Sequence, residues 1–252
     1  MTLSQERLAK TLAAPFRYYE RIGSTNDAAR DWLEQGAPGG AVVIADEQSA
    51  GRGRNGNSWH TPPGAALALS VIMQPKASWL SRVTMLGGLA VCELAEKLGC
   101  EDVGIKWPND VQIAGKKVSG ILCEASWSGE ALTGAVLGIG INVRTDFQGT
   151  ALAETATSLE SAVGRRLDRA QLAGDLMDLL RQWQRRSETA GLIDSWRRRQ
   201  STLGQLVNAN GVVGKALDIN ADGALLVVDA CGERHTIHVG ELAPLAETSK
   251  LQ

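Results

Sequence analysis

The sequence predicts a mixed α+β domain followed by a small all-β domain, and three observations carry that expectation. Two long segments repeat apolar residues at helical spacing. Short runs rich in β-branched residues lie before and between them. After about Leu203 the chain turns to closely spaced alternating runs broken by turn dipeptides, the pattern of a small barrel.

The elements follow in order. Residues 24–36 read as a helix, with Ser24 or Thr25 as cap and Gly36 as stop. Residues 41–48 and 67–73 read as strands. Leu80, Thr84, Gly87, Val91, Leu94 and Leu98 recur at helical spacing, and Gly99 ends that helix. Residues 105–107, 111–113, 118–125 and 132–143 read as strands, with Ala114-Gly115-Lys116 as a tight hairpin. A helix over 169–186 has Asp168 and Gln171 as its capping box and an apolar stripe from Leu172 to Trp183. Beyond it, runs at 206–207, 212–213, 216–219, 224–228 and 236–239 are separated by Asn210-Gly211, Asp222-Gly223 and Cys231-Gly232. These give a main domain over 1–200 and a barrel over 203–247.

Bulk properties narrow the class. A chain of 252 residues with 44% hydrophobic and 21% charged residues can bury a full core. Its net charge of -2 opposes bulk attraction to nucleic acid or membrane. The cysteines at 92, 100, 123 and 231 form no CxxC pair and do not cluster with the histidines, so no metal site is legible; they read as packed thiols of a reducing cytoplasm. The polar start has no secretory h-region, and the apolar stretch 65–73 is too short to span a bilayer.

Residues 47–59 are the most informative segment. They hold a literal G-x-G-x-x-G at Gly51, Gly53 and Gly56 after a strand. A dinucleotide site needs a helix next and an acid about 20 residues on. Here Trp59-His60-Thr61-Pro62-Pro63-Gly64 follows, and no Asp or Glu occurs between Glu47 and Glu93, so that reading fails. What remains is a loop whose glycines let backbone wrap a ligand and whose Arg52 and Arg54 suit carboxylate or phosphate oxygens. The bland alternative is a solvated loop. With no apolar anchor before Trp59 and two like charges close together, the empty loop is expected to settle only over an anion.

This segment resembles the G-R-G-R loop of biotin–protein ligases, and four further motifs follow the family's order. Ser24-Thr25-Asn26 resembles S-T-N, and Lys106-Trp107-Pro108-Asn109-Asp110 matches K-W-P-N-D. Residues 117–124 resemble K-x-x-G-I-L-x-E, and residues 138–142 resemble G-x-G-I-N. Together they cover about residues 24–143. The resemblance implies a class II synthetase-like mixed sheet with an SH3-like barrel. It also implies a cytoplasmic enzyme that uses ATP with Mg2+ to form biotinyl-5'-AMP and transfers biotin to a lysine of a biotin carboxyl carrier protein. It implies a monomer or weak homodimer. Only about 20 residues precede Ser24, leaving no room for the winged helix of the family's regulatory branch, so no nucleic-acid partner is expected.

The family assigns roles residue by residue. Arg54 and Lys117 would contact the tail carboxylate and phosphate, with Arg52 as a third cation for the charge on phosphorus. Ser24, Thr25, Asn26 and Gln48 would receive the ureido head, helped by backbone at Gly51, Arg52 and Gly53. Trp59 would wall the biotin tail from the adenine, and Gly120, Gly138 and Gly140 would admit ligand close to the sheet. Asn109 and Asn142 would serve the nucleotide. Asp110 would orient the acceptor amine and help remove its proton. No all-protein magnesium cage is legible, and Mg2+ is expected on phosphate oxygens and water. Asn55 and Asn57 depart from the family, where some members carry further basic residues.

Structural alternatives stand beside these roles: a helix cap for Ser24 or Thr25, a core aromatic for Trp59, a bulge or sheet crossing for the three glycines, a turn for Asp110 and an exposed hairpin lysine for Lys117. Other functions also stay open. A lipoate or octanoate ligase or transferase shares the fold, and a non-catalytic biotin-binding module lacks need of Lys117 and Asp110. A biotin-responsive DNA-binding repressor would need basic runs, but Arg165-Arg166, Arg185-Arg186 and Arg197-Arg198-Arg199 read as solvated helix faces.

Overall fold

The computed structural model describes residues 2–186 and 190–243. A seven-stranded mixed sheet contains β1 (Phe16–Ile22), β2 (Val42–Gln48), β3 (Ala66–Met73), β4 (Val103–Lys106), β5 (Asp110–Ile113), β6 (Lys116–Ser128) and β7 (Ala131–Asn142). Their spatial order is β1-β2-β3-β7-β6-β5-β4, with β1 and β2 parallel and the other pairs antiparallel. A second, five-stranded antiparallel sheet holds β8 (Leu206–Ala209), β9 (Val212–Ile219), β10 (Leu225–Asp229), β11 (Arg234–Ile237) and β12 (Leu242–Ala243). Residues 244–247 of the expected barrel lie outside the described residues.

Alternation along the central strands sorts the side chains. Leu67, Leu69, Val71 and Met73 of β3 and Ala135, Leu137, Ile139 and Ile141 of β7 enter the main core. There they share apolar packing with α3 (Leu80–Leu98) and α5 (Arg169–Arg185). The intervening residues face α2 (Thr25–Glu34), where Ala29, Val43, Ile72 and Val136 form a second cluster. Both faces of the middle strands are therefore covered, which explains why β3 is buried throughout.

Three α-helices and two strands are additional to the sequence expectation: α1 (Gln5–Thr11), α4 (Leu159–Val163), α6 (Ala190–Arg198), β1 and β12. At Asp168 the capping box is half formed. Its side chain accepts from the Ala170 amide, but Gln171 turns to Asp175 instead of reaching back. The predicted hairpin and the three turn dipeptides hold: Ala114 and Gly115 have φ of 49° and 74°, Asn210 and Gly211 have 54° and 87°, and Gly223 and Gly232 both have 83°.

Two expectations need correction. Arg165 and Arg166 lie between helices, and the arginines after Trp196 are spent on partners. Arg197 donates to Asp218 at 2.6 Å and to the Ile219 carbonyl at 2.8 Å, tying α6 to the second sheet, while Arg199 pairs with Glu96. The thiols also divide: Cys92 and Cys100 are buried and Cys123 is half-buried, but Cys231 is exposed on a turn. Burial pushes the Cys92 and Cys123 thiols up to about 12.

Candidate functional site

A cavity of about 280 Å³ opens over the face of β3, β7 and β6 that turns away from the main core. Ala68, Gly140 and Gly120 lie side by side across the three strands and make its floor. Side chains at 68, 120, 138 and 140 share that face by strand period, so the glycines of two sequence motifs meet only once the strands pair.

One end is polar and neutral. The Thr25 amide and hydroxyl donate to Gln48 Oε1 at 2.8 and 3.0 Å, and Gln48 Nε2 donates to Thr61 at 3.1 Å. The Ser70 hydroxyl lies 2.6 Å from Asn26 Oδ1 and 2.8 Å from Thr25 Oγ1. Asn26 Nδ2 donates to Glu124 at 2.6 Å. Ser24 occupies the N-cap position of α2 but makes no side-chain cap bond, so its hydroxyl is not consumed by the helix. These groups are oriented before any ligand arrives.

The other end is cationic. Lys117 Nζ stands 2.7 Å from Asp110 Oδ1 and 5.7 Å from the centre of the Trp59 ring. A register shift in the β5–β6 ladder between Val111 and Gln112 sets the two partners on one side of the hairpin. Arg54 reaches Asn109 Oδ1 at 3.5 Å, and Asn109 Nδ2 is held by the Ile121 carbonyl at 2.8 Å. Trp59 lies between the two ends and lines the cavity, with its indole nitrogen buried and unpartnered among the described residues.

The structure alters several expected roles. A Cβ at Gly138 would collide with the Asn26 amide, and one at Gly140 with the Trp59 ring. These two glycines thus seat the protein's own side chains, where ligand approach was expected. Gly120 is less crowded, with Trp59 at 3.3 Å from such a Cβ. Gly140→Ala is therefore expected to cost about 1–3 kcal/mol or to expel the indole, while Gly120→Ala costs clearly less. Denaturant midpoints and Trp emission of both variants check this; equal effects would show that the indole is not seated on Gly140.

Gly51 and Asn142 stand outside the lining. Gly51 has the Trp59 carbonyl and Gln48 against it, so it serves loop closure. Asn142 is buried and donates to the Thr157 carbonyl at 3.2 Å, which pins the segment after β7. Gly53 lines the cavity, and its amide donates to the Asn57 carbonyl at 2.6 Å. Arg52 also lines it but points away from the other cations. Its guanidinium meets Asp27 with two bonds of 2.6 and 2.8 Å and reaches Glu124 at 3.4 Å. The hydrogen bond from Arg52 holds the Asp27 carboxyl below its usual range. The expected mutual repulsion of Arg52 and Arg54 is removed, because two acids distant in sequence neutralise the first.

Sequence reasoning missed Asp27, Ser70, Glu241 and Leu242, and gave no role to Lys106, Trp107, Pro108 and Glu124 although they stand in quoted motifs. Trp107 is buried at the cavity wall, and its indole donates to the Gly223 carbonyl, in the turn between β9 and β10, at 3.0 Å. Glu241 and Leu242 bring that sheet to the rim, where Asn57 donates to Glu241 at 3.1 Å. Only the position of Trp107 inside a quoted motif could have signalled its part. Asp110 and Glu241 supply the only carboxylates among the described residues lining the cavity, so a divalent cation there would depend on ligand oxygens. Asp229, Glu233 and His235 approach one another on the β10–β11 turn, but Asp229 caps two turn amides and His235 pairs with it at 2.8 Å.

Residues 18–142 match the Biotin/lipoate A/B protein ligase family. The chain is 34% identical over 222 residues to the bifunctional ligase/repressor BirA of Bacillus subtilis, covering 83% of this chain and 68% of that protein. It is 31% identical to the biotin–[acetyl-CoA-carboxylase] ligase of Mycobacterium tuberculosis, covering 91% and 90%. Its fold superposes on a biotin protein ligase from Aquifex aeolicus, solved with biotin and ATP, with a TM-score of 0.79 at 26% identity over 91% of this chain and 97% of that one. The chain belongs to the biotin/lipoate protein ligase family.

Proposed function

We propose that this chain is an ATP-dependent ligase that forms biotinyl-5'-AMP and transfers biotin to a lysine of a biotin carboxyl carrier protein. The observation that carries this reading is one cavity with a neutral hydrogen-bonding end and a cationic end, divided by Trp59. The neutral end suits a ureido group, whose donors and acceptors match Ser24, Thr25, Asn26 and Gln48. The cationic end suits a carboxylate beside a phosphate, with Arg54 and Lys117 as partners. The biotin carboxylate attacks the α-phosphorus and pyrophosphate leaves; Mg2+, held on phosphate oxygens and water, would offset the charge of that leaving group. The carrier amine then attacks the acyl carbon and AMP leaves, with Asp110 placed to orient that amine and to help take the proton it loses. The similar proteins named for biotin and carboxylase ligation support the same substrates.

The catalytic unit spans 1–200 and the barrel 203–247. The protein works in the cytoplasm as a monomer or weak homodimer, without nucleic acid. No helix among the described residues is long and apolar enough to cross a membrane.

The test is isotope exchange of pyrophosphate into ATP with purified protein and Mg2+. Exchange is expected only when biotin is added. Exchange driven by lipoate and not by biotin would move the chain to the other branch of the family.

A further inference from the structure

We infer that Asp27 and Glu124 are positioning residues for the Gly–Arg loop: they seat Arg52, and Arg52 bolts the base of the loop so that Trp59 and Arg54 face the cavity. The inference rests on the function proposed above and assigns work to two acids that the motifs leave without a role.

Arg52 lies where the loop leaves and rejoins the body. Its backbone pairs with Ser58 across the loop, and on either side the Trp59 amide donates to the Gly51 carbonyl at 2.9 Å and the Gly53 amide to Asn57 at 2.6 Å. One residue therefore controls both arms. Its side chain is held from two elements, by Asp27 in the first turn of α2 and by Glu124 on β6. The bidentate pair with Asp27 fixes the plane of the guanidinium as well as its position. Glu124 then does a second job, because its other contact is the 2.6 Å bond from Asn26 Nδ2. That bond decides which way the Asn26 amide points, leaving its oxygen toward Ser70. The loop that carries Trp59 and the polar end of the cavity are thus joined through one carboxylate.

The arrangement also accounts for charge. With Arg52 neutralised by two acids and Lys117 by Asp110, the cavity cations left without a carboxylate partner among the described residues are Arg54 and Lys106. Arg52 then acts on substrate through the loop it holds, and its loss is felt as misplacement of Trp59 and Arg54. A surface ion pair ordinarily adds little to global stability, and Asp27 and Arg52 are 47% and 38% exposed, so the pair's consequence is local.

The experiment combines two readouts on the intact chain. Hydrogen exchange of the peptide covering residues 51–59, in protein without added ligand, is expected to quicken about tenfold in Asp27→Asn and in Glu124→Gln, with the global melting temperature unchanged. In pyrophosphate exchange, KM for biotin is expected to rise about tenfold while kcat stays within about twofold. Asp27→Glu should restore both, and Asp27→Asn should add nothing to the loop exchange once Arg52→Ala is present, because its other partner, Arg30, lies on α2 outside the loop. Asp178→Asn, which removes an exposed pair on α5, serves as the neutral control. Unchanged loop exchange in Asp27→Asn, or full additivity with Arg52→Ala, would overturn the inference. Because the exchange measurement needs no substrate, it decides the seating of Arg52 even if the chain proves to use another acid than biotin.

Discussion

Lys117→Ala is expected to slow adenylate formation by about 10²- to 10³-fold, equivalent to roughly 3 to 4 kcal/mol of transition-state stabilisation. Joining a carboxylate to a triphosphate brings two anions together and develops further charge around phosphorus. Lys117 lines the cavity against that path, and its ammonium lies 2.7 Å from Asp110 and over the Trp59 ring. Removing it withdraws a cation and, in the same stroke, exposes the Asp110 carboxylate without its partner. The second effect makes the loss larger than for a lone lysine. It also yields a sharper test, since Lys117→Ala with Asp110→Asn should recover part of the deficit by removing the stranded negative charge. Single-turnover adenylate formation is the measurement. An unchanged rate in a folded Lys117→Ala protein would remove Lys117 from the chemistry. Asp110→Ala alone should slow transfer from premade biotinyl-AMP to carrier more than it slows activation.

Arg169→Ala is expected to destabilise the fold by about 3–5 kcal/mol, seen as a fall in melting temperature of about 10 °C. Arg169 opens α5 and is the most buried charge described, at 1% exposure. Its guanidinium lies 2.5 Å from Asp46 Oδ1 and donates to the Ala66 carbonyl at 2.9 Å, so it joins α5 to β2 and to the start of β3. Asp46 is itself 15% exposed. Truncating the arginine leaves a carboxylate in a low-dielectric site and uncaps the carbonyl that begins the central strand. Replacing both partners with apolar residues, as in Arg169→Met with Asp46→Leu, should recover most of the loss, because no charge is then left buried alone. A single variant as stable as the parent, or a double variant no better than the single one, would contradict this account.

How much of this was legible depended on the range of the cause. The helix over α3 and its Gly99 stop could be read locally, since apolar spacing and a left-handed terminal glycine act within a few residues. So could the Asn210-Gly211 hairpin. Strand β1 was not legible: Arg17, Glu20 and Arg21 interrupt its pattern, and it exists because parallel pairing with β2 supplies its hydrogen bonds. Helix α6 was hidden in the same way, as Arg197 and the Arg199 that follows it resemble a solvated face until Asp218 and Glu96 are placed beside them.

The same division runs through the site. The order and spacing of five motifs determined the family and many of the residues that line the cavity, and the change to short alternating runs after about Leu203 determined the two-part architecture, because both are local signatures. Only the tertiary structure decided what each does there. Gly138 and Gly140 make room for Asn26 and Trp59, a fact that exists only when β7 lies beneath α2 and the loop. Arg52 faces Asp27 and Glu124, 25 and 72 residues away in the chain, and Asn57 faces Glu241, 184 residues away. A charge has no intrinsic partner in a sequence; its partner is whichever opposite charge the packing of the sheet brings within a few ångströms, and that packing is set by the whole core.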